Sequence, residues 1–426
     1  MAEISDHPLR YALVNELHAR PFPSLTVPCH AVYVAIKEPE RAVNRDRAAD
    51  RAHLLALLGR HGSAHPHPDA THFSGPIGRH DLKWESHTEF VTYSAFGAGV
   101  SPRAFDPAEA DVFPADWLGQ APGQRLTSVL IRVEEMPQDA EMLALLDQWF
   151  VPESLAISRI VDGAGVIAGD FRIDPAGHMR FAVFVEKGTD PRRVGRIVQR
   201  VCEIETYRAM SMLGLMRART LGAELNRLDP QLSDLIAGMN AVGPSAEEVL
   251  HRLLQISAEV ERLAVQFSFR FGATEAYEAI VNQRIAVLRE VRIGGRQSFG
   301  EFMTRRYDPA MRTVKSTEAR LRSMAERATR AAELLRTRVD VERSAQNQRL
   351  LESMDARADL QLRLQTTVEG LSVVAISYYA VNLLAYVAYP VTQGLGISKG
   401  FAMAVMVPVV ILGVWAMVQR IKRRFH

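Results

Sequence analysis

Two sets of side chains have the types and spacing to do chemistry. Ser372, Tyr379, Asn382 and Tyr386 recur at steps of three, four and seven in an uncharged stretch, with Gln365, Ala375 and Tyr389 on the same heptad face. A group such as Asn382 is costly in hydrocarbon unless it meets another helix or water. A ring of copies would turn this face onto a central path, where such groups replace the water of a passing ion. The alternative is that Asn382 and the tyrosine hydroxyls bond between helices, with Tyr386 and Tyr389 in an interfacial belt. Glu85, His87 and Glu89 form the second set. If 81–96 is one extended run, they share a face by strand alternation. Two carboxylates beside an imidazole could hold a divalent cation, the one cofactor these residues suggest; a face ion-paired with Arg or Lys is the alternative.

Other groupings have structural readings beside the chemical ones. Seven histidines lie between His53 and His87, with His65, His67 and His72 in a Pro-containing segment that reads as a loop. They could supply imidazole ligands or simply be solvated. Asn15 to Phe22 carries His18 and Arg20, which could bind a small anion or dock a helix onto a sheet. Glu203, Glu205 and Arg208 suit salt bridges along a helix. There is no Gly-x-x-x-x-Gly-Lys loop, Gly-x-Ser-x-Gly elbow or His-Glu-x-x-His. The run Asp162 to Gly169 leads into a strand pattern rather than a helix, so it reads as a hairpin turn, not a dinucleotide site. We therefore expect no enzyme, the weaker option being a membrane-tethered one using Glu85, His87 and Glu89.

The elements that must carry these residues follow from pattern. Met311 to Glu369 contains neither Gly nor Pro and is rich in Arg, Glu, Ala, Leu and Gln. Such a helix would extend roughly 90 Å at 1.5 Å per residue, too long to be packed inside a globular domain. Its apolar seam is loose (Met311, Val314, Leu321, Met324, Ala328, Leu335, Val339, Leu350, Met354) and weakens near Glu342 to Gln348. Leu371 to Tyr389 and Gly400 to Val418 are uncharged and about the length that crosses a bilayer. Pro390 is expected to end the first. Basic residues flank the pair (Arg357, Arg363; Arg420, Lys422, Arg423, Arg424), whereas the hairpin has Lys399 alone. Both termini are thus expected in the cytoplasm, and Met1 to Arg20 has no signal-peptide core.

Upstream, Pro8 to Ala19, Pro39 to Arg60 and Gln138 to Phe150 read as helices. Cys29 to Lys37, Asp81 to Phe96, Thr127 to Val133, Leu155 to Val161, Val166 to Ile173 and Met179 to Val185 read as strands. From Pro191 onward the pattern is helical: Arg192 to Ala218, Ala246 to Phe269 and Thr274 to Val291. Breaks are expected at Asp229-Pro230, Gly243-Pro244, Gly272, Gly294-Gly295 and Asp308-Pro309. The expected division is a cytoplasmic α+β domain (1–190), a helical domain (191–308), a long stalk helix (309–370), a first transmembrane helix (371–390), an outer hairpin (391–399), a second transmembrane helix (400–419) and a basic tail (420–426). A formal charge of +2 over 426 residues, with acids and bases interspersed, argues against nucleic acid as a partner. Two cysteines suit a reducing compartment.

A long helix entering the first of two terminal spans, a short hairpin and a basic tail resemble the CorA-type magnesium channel superfamily in architecture. That likeness implies a homo-oligomer, a pentamer, gated by its cytoplasmic domain. The chain has Ala380-Val381-Asn382 where those channels carry Gly-Met-Asn, and no acidic residue follows Glu369. Several segments are similar to a bacterial family of predicted membrane-anchored proteins of unknown function. They are His7-Pro-Leu-Arg, Asn15 to Phe22, Lys83-Trp-Glu-Ser-His-Thr-Glu-Phe90, Glu203-Ile-Glu-Thr-Tyr-Arg208 and Glu369 to Tyr379. The expectation is a homo-oligomeric protein of the bacterial inner membrane, a CorA-like cation channel or transporter. The alternative is a non-conducting anchored scaffold or sensor that binds a cytoplasmic partner.

Overall fold

The computed structural model describes residues 4–11, 13–14, 21–39, 44–239, 245–394 and 398–425, excluding the side chains of 422–425. It divides into two compact units, Met1–Ala241 with His251–Ala331, and Val242–Leu250 with Ala332–His426. The helical segments 191–238 and 251–288 thus belong to the same unit as the sheet.

The larger unit is a mixed α+β fold around one nine-stranded sheet of order β2-β3-β4-β1-β5-β8-β7-β6-β9. Its strands are β1 (Cys29–Lys37), β2 (His72–Ile77), β3 (His80–Ser86), β4 (Phe90–Ala98), β5 (Gln124–Glu135), β6 (Ala156–Ile160), β7 (Gly165–Ile173), β8 (Met179–Val185) and β9 (Val291–Arg292). Neighbours are antiparallel except β5 and β8, which run parallel. Period-two alternation sorts the side chains. Val32, Val34, Leu82, Trp84, Val91, Tyr93, Leu130 and Phe184 point into one core. Against them pack Leu54, Leu57 and Leu58 of α1 (Arg47–Arg60), Trp117 of α2 (Ala115–Leu118), and Met142 and Leu146 of α3 (Asp139–Trp149). The start of α1 is set by Asp46, whose carboxylate accepts from the Ala48 and Ala49 amides.

The opposite face receives α4 (Pro191–Gly238), which lies on β1, β5 and β8. Asp190 caps it and Pro191 opens its first turn. Gly195 admits a close backbone approach, because a Cβ there would collide with the Pro23 carbonyl. The unit also holds most of α5 (Ala246–Leu288), α6 (Phe299–Arg306), and the start of α7 (Asp308–Gly394). Helix α8 (Lys399–Phe425) completes the chain. Helices α7 and α8 are each long and apolar enough to cross a membrane.

Several expectations are corrected. The stretch 81–96 is two strands, β3 and β4, joined by a turn over 87–89, and His72 begins a strand rather than lying in a loop. The sheet does not end before Pro191, since Val291–Arg292 adds an edge strand beside β6. Asp229-Pro230 does not break α4. Leu225, Leu228 and Leu232 continue its buried stripe, and Arg320 and Arg327 of α7 hold Asp229, so packing outweighs the proline's lost hydrogen bond. Gly272 likewise lies inside α5, between buried Phe271 and Thr274. Pro390 does not end the first apolar stretch. The helix runs on to Gly394, and the Thr392 hydroxyl donates to the Ala388 and Tyr389 carbonyls of that turn.

Candidate functional site

Strands β3 and β4 turn an unusually polar row toward α4. In β3 the residues facing away from the apolar core are Asp81, Lys83 and Glu85, and in β4 Thr92 and Ser94 do so between Phe90 and Phe96. A sheet face covered by a helix is normally apolar, so these groups must be satisfied or solvated. Lys83, Glu85, Thr92 and Ser94 border a cavity of about 280 Å³, closed on the helical side by Gln199, Cys202, Glu203 and Thr206 of α4 and by Arg284 of α5. Tyr33 of β1, Phe22, Phe90 and Tyr207 supply aromatic surface.

The charged groups form a chain around the wall. Lys83 Nζ lies 3.4 Å from the Glu85 carboxylate and donates to Gln199 Oε1 at 2.9 Å. Gln199 Nε2 donates to Glu203 Oε1 at 2.8 Å, and the other Glu203 oxygen accepts from Arg284 Nε. Two cations and two carboxylates thus alternate, and their formal charges cancel. The hydroxyls of Tyr33 and Thr206 are 2.6 Å apart. Burial pushes the Tyr33 phenol and the Cys202 thiol up, so both keep their protons. Cys202 is then a small apolar and weakly donating wall group rather than a nucleophile. The arrangement can bind a small polar molecule by exchanging some of these internal hydrogen bonds for bonds to a ligand.

The sequence-derived sites fare differently. Glu85 and His87 both line the cavity, His87 stacking on Phe90 with ring centroids 4.4 Å apart. Glu89 points elsewhere. It is 1 % exposed, its carboxylate is held by Arg270, and it accepts from the Tyr277 hydroxyl at 2.9 Å. This anchors the β3–β4 turn to α5, while burial and Glu89 push the Tyr277 phenol up. The three residues therefore do not share a strand face. Among the described residues no group of three or more His, Cys, Asp or Glu is placed to hold a metal. His65 and His67 are surface residues outside any strand or helix. Asn15 to Arg20, with His18, lie outside the described residues. Glu205 is buried, accepting from Arg208 and from Thr127 at 3.0 Å, so the salt-bridge reading of that cluster holds. The hairpin reading of Asp162 to Gly169 holds as well, the turn falling between β6 and β7.

In the first apolar stretch, Ser377 and Val381 are buried while Ser372, Tyr379 and Tyr386 are exposed and Asn382 is half-buried. The four residues read as a polar stripe lie mainly on the side of α7 that no other described residue covers, Tyr386 being 80 % exposed.

The sequence reading missed Gln199, Thr92, Ser94, Arg284 and the Glu203–Arg284 pair as one site. The period-two polar rows Asp81-Lys83-Glu85 and Thr92-Ser94 were the available signal. Nothing local places Arg284 opposite them.

Phe22, Lys83 to Phe90 and Glu203 to Arg208 come from three of the segments that carry the family resemblance, and each contributes to the same cavity. No curated protein matches the chain. Residues 5–425 match the family described as "Protein of unknown function (DUF3422)", and over nearly its whole length the chain belongs to that family.

Proposed function

We propose that this is a membrane-anchored sensor whose α+β unit binds a small, polar, net-neutral ligand in the cavity between β3, β4 and α4. The observation that carries the reading is the balanced wall of Lys83, Glu85, Glu203 and Arg284 around about 280 Å³. A ligand with a net charge would leave an uncompensated charge in a partly desolvated site, whereas a zwitterion or a neutral polyol or amide can satisfy both signs. The volume, at the low end for small-molecule sites, suits a metabolite the size of an amino acid. Helices α7 and α8 would anchor the protein in the bacterial inner membrane, with both termini cytoplasmic by the placement of basic residues.

The test is thermal unfolding of the full chain in detergent against a panel of small metabolites grouped by charge. A ligand at one hundred times its Kd stabilises by about 2.7 kcal/mol. The reading expects a net-neutral member to raise the midpoint, and Arg284→Gln to reduce that shift. Stabilisation by anionic or cationic members alone would reject it.

A second reading is favoured by the uncovered stripe Ser372, Tyr379, Asn382 and Tyr386. In a homo-oligomeric ring this face would line a cation path of the CorA-like class, with the ligand cavity as its regulatory input. In that reading the lipid bilayer and further copies of the chain are the partners.

A further inference from the structure

The histidine-rich stretch holds one imidazole with an unexpected partner. His80 opens β3 and His30 lies in β1, and both pair in register with Gly97 of the strand between them. Two side chains separated by a whole strand normally do not meet. Here Gly97 has no side chain, so the rings lean over it, their centroids 5.5 Å apart and their planes at 80°. A Cβ on Gly97 would strike the Cε1–Nε2 edge of His30 and come within 2.9 Å of His80 Cδ2. The glycine is what allows the pair.

Each ring leaves a nitrogen unused. His30 is 6 % and His80 7 % exposed, and both Nε2 atoms are buried without a hydrogen-bond partner. His30 Nδ1 lies 2.8 Å from the Gly99 carbonyl. A carbonyl can only accept, so Nδ1 carries the proton and the Nε2 lone pair is free. Metal-binding histidines are oriented in this way, by donating the other ring N–H to a carbonyl or carboxylate.

We propose that His30 and His80 form a two-imidazole site for a soft monovalent d10 cation of the Cu(I) class. The charge of the ion follows from the surroundings. Cys29, next to His30, alternates to the opposite face of β1. Among the described residues no anionic ligand accompanies the two nitrogens, and Arg79 adds positive charge nearby. The cost of burying an ion rises with the square of its charge, so a divalent cation with only neutral ligands is penalised about fourfold relative to a monovalent one. Imidazole suits copper, and two nitrogens satisfy a linear monovalent centre.

The test uses the full chain in detergent, titrated anaerobically with Cu(I) buffered by a chromophoric chelator. One Cu(I) per chain is expected, with X-ray absorption showing nitrogen and no sulfur around it. His30→Leu and His80→Leu should each weaken binding about tenfold or more. Variants with His65 and His67 replaced by Ala, or Cys29 and Cys202 by Ser, should bind as before. Absence of binding by the folded wild type, or binding lost with the cysteine or His65/His67 variants and kept without His30 and His80, overturns the proposal. Should a histidine variant fail to fold, nitrogen NMR of the wild type with Ag(I) decides: the Nε2 signals of His30 and His80 must shift, and unchanged signals reject the site.

Discussion

Glu89 is the most exposed point of the structural account to experiment. Its carboxylate is 1 % exposed and lies between Arg270 and Tyr277. The Arg270 side chain is itself 11 % exposed. Glu89→Gln keeps the shape and leaves the guanidinium buried without its counter-charge. Removing one member of a buried pair costs about 3–5 kcal/mol. At roughly 2 °C per kcal/mol for a unit of this size, the unfolding midpoint should fall by roughly 6–10 °C. Glu89→Leu combined with Arg270→Met removes both charges and should cost less than the single change, because no unpaired charge remains. Trp84, Trp117 and Trp149 all lie in the sheet-containing unit, so tryptophan emission of the full chain in detergent follows its melting. A single-variant cost under about 1 kcal/mol, or a double variant less stable than the single, would refute the reasoning.

Three further changes probe other parts of the account. Burial lowers the pKa of His53, of His178 and of His80, the last to about 4, so each favours the folded state fully above the unfolded value of about 6.5. As pH falls from about 6.5 toward 4, the unfolded chain takes up protons that the folded chain refuses, and stability should drop, His80 alone contributing on the order of 2–3 kcal/mol; a denaturation midpoint unchanged over that range contradicts this. Glu290 accepts from the Phe299 and Gly300 amides at 3.1 and 2.8 Å and from the Ser158 hydroxyl at 2.8 Å, so Glu290→Ala should cost about 1–2 kcal/mol. Hydrogen exchange should quicken first at the start of α6, and unchanged protection there would count against the capping role. In liposomes, Asn382→Leu should reduce cation flux more than Leu383→Ala if the ion-path reading is correct; absence of flux from the assembled wild type leaves the sensor alone.

What could be read from the chain depended on whether the signal was local. Cys29–Lys37 and Met179–Val185 were legible to the residue, because their apolar runs end at a charge or a turn. The weakening of the long-helix seam was legible in part: positions 340–368 are all exposed, including Leu350 and Met354, which were expected to continue the seam, whereas Met311, Val314, Leu321, Met324 and Ala328 are buried. Proline and glycine misled where tertiary packing overrode them, at Pro230, Gly272 and Pro390. The β3–β4 turn was hidden because 87–89 lacks Gly, Pro, Asn and Asp, leaving nothing to interrupt the strand pattern. That omission put Glu89 on the wrong face and merged a structural ion pair with a cavity wall. Half of the site was present as the motifs around Lys83 and Glu203. The meeting of Arg284 with Glu203, and of His30 with His80 over Gly97, depends on long-range register that no local pattern encodes.

The central claim is that the cavity beside Lys83 and Glu203 is a ligand site. Its most direct test is calorimetric titration of the stabilising metabolite into the full chain and into Ser94→Trp, which fills the cavity from the β4 wall. The account predicts one ligand per wild-type chain and none for a Ser94→Trp chain that remains folded by tryptophan emission. Equal binding to both proteins would place the ligand elsewhere and contradict it.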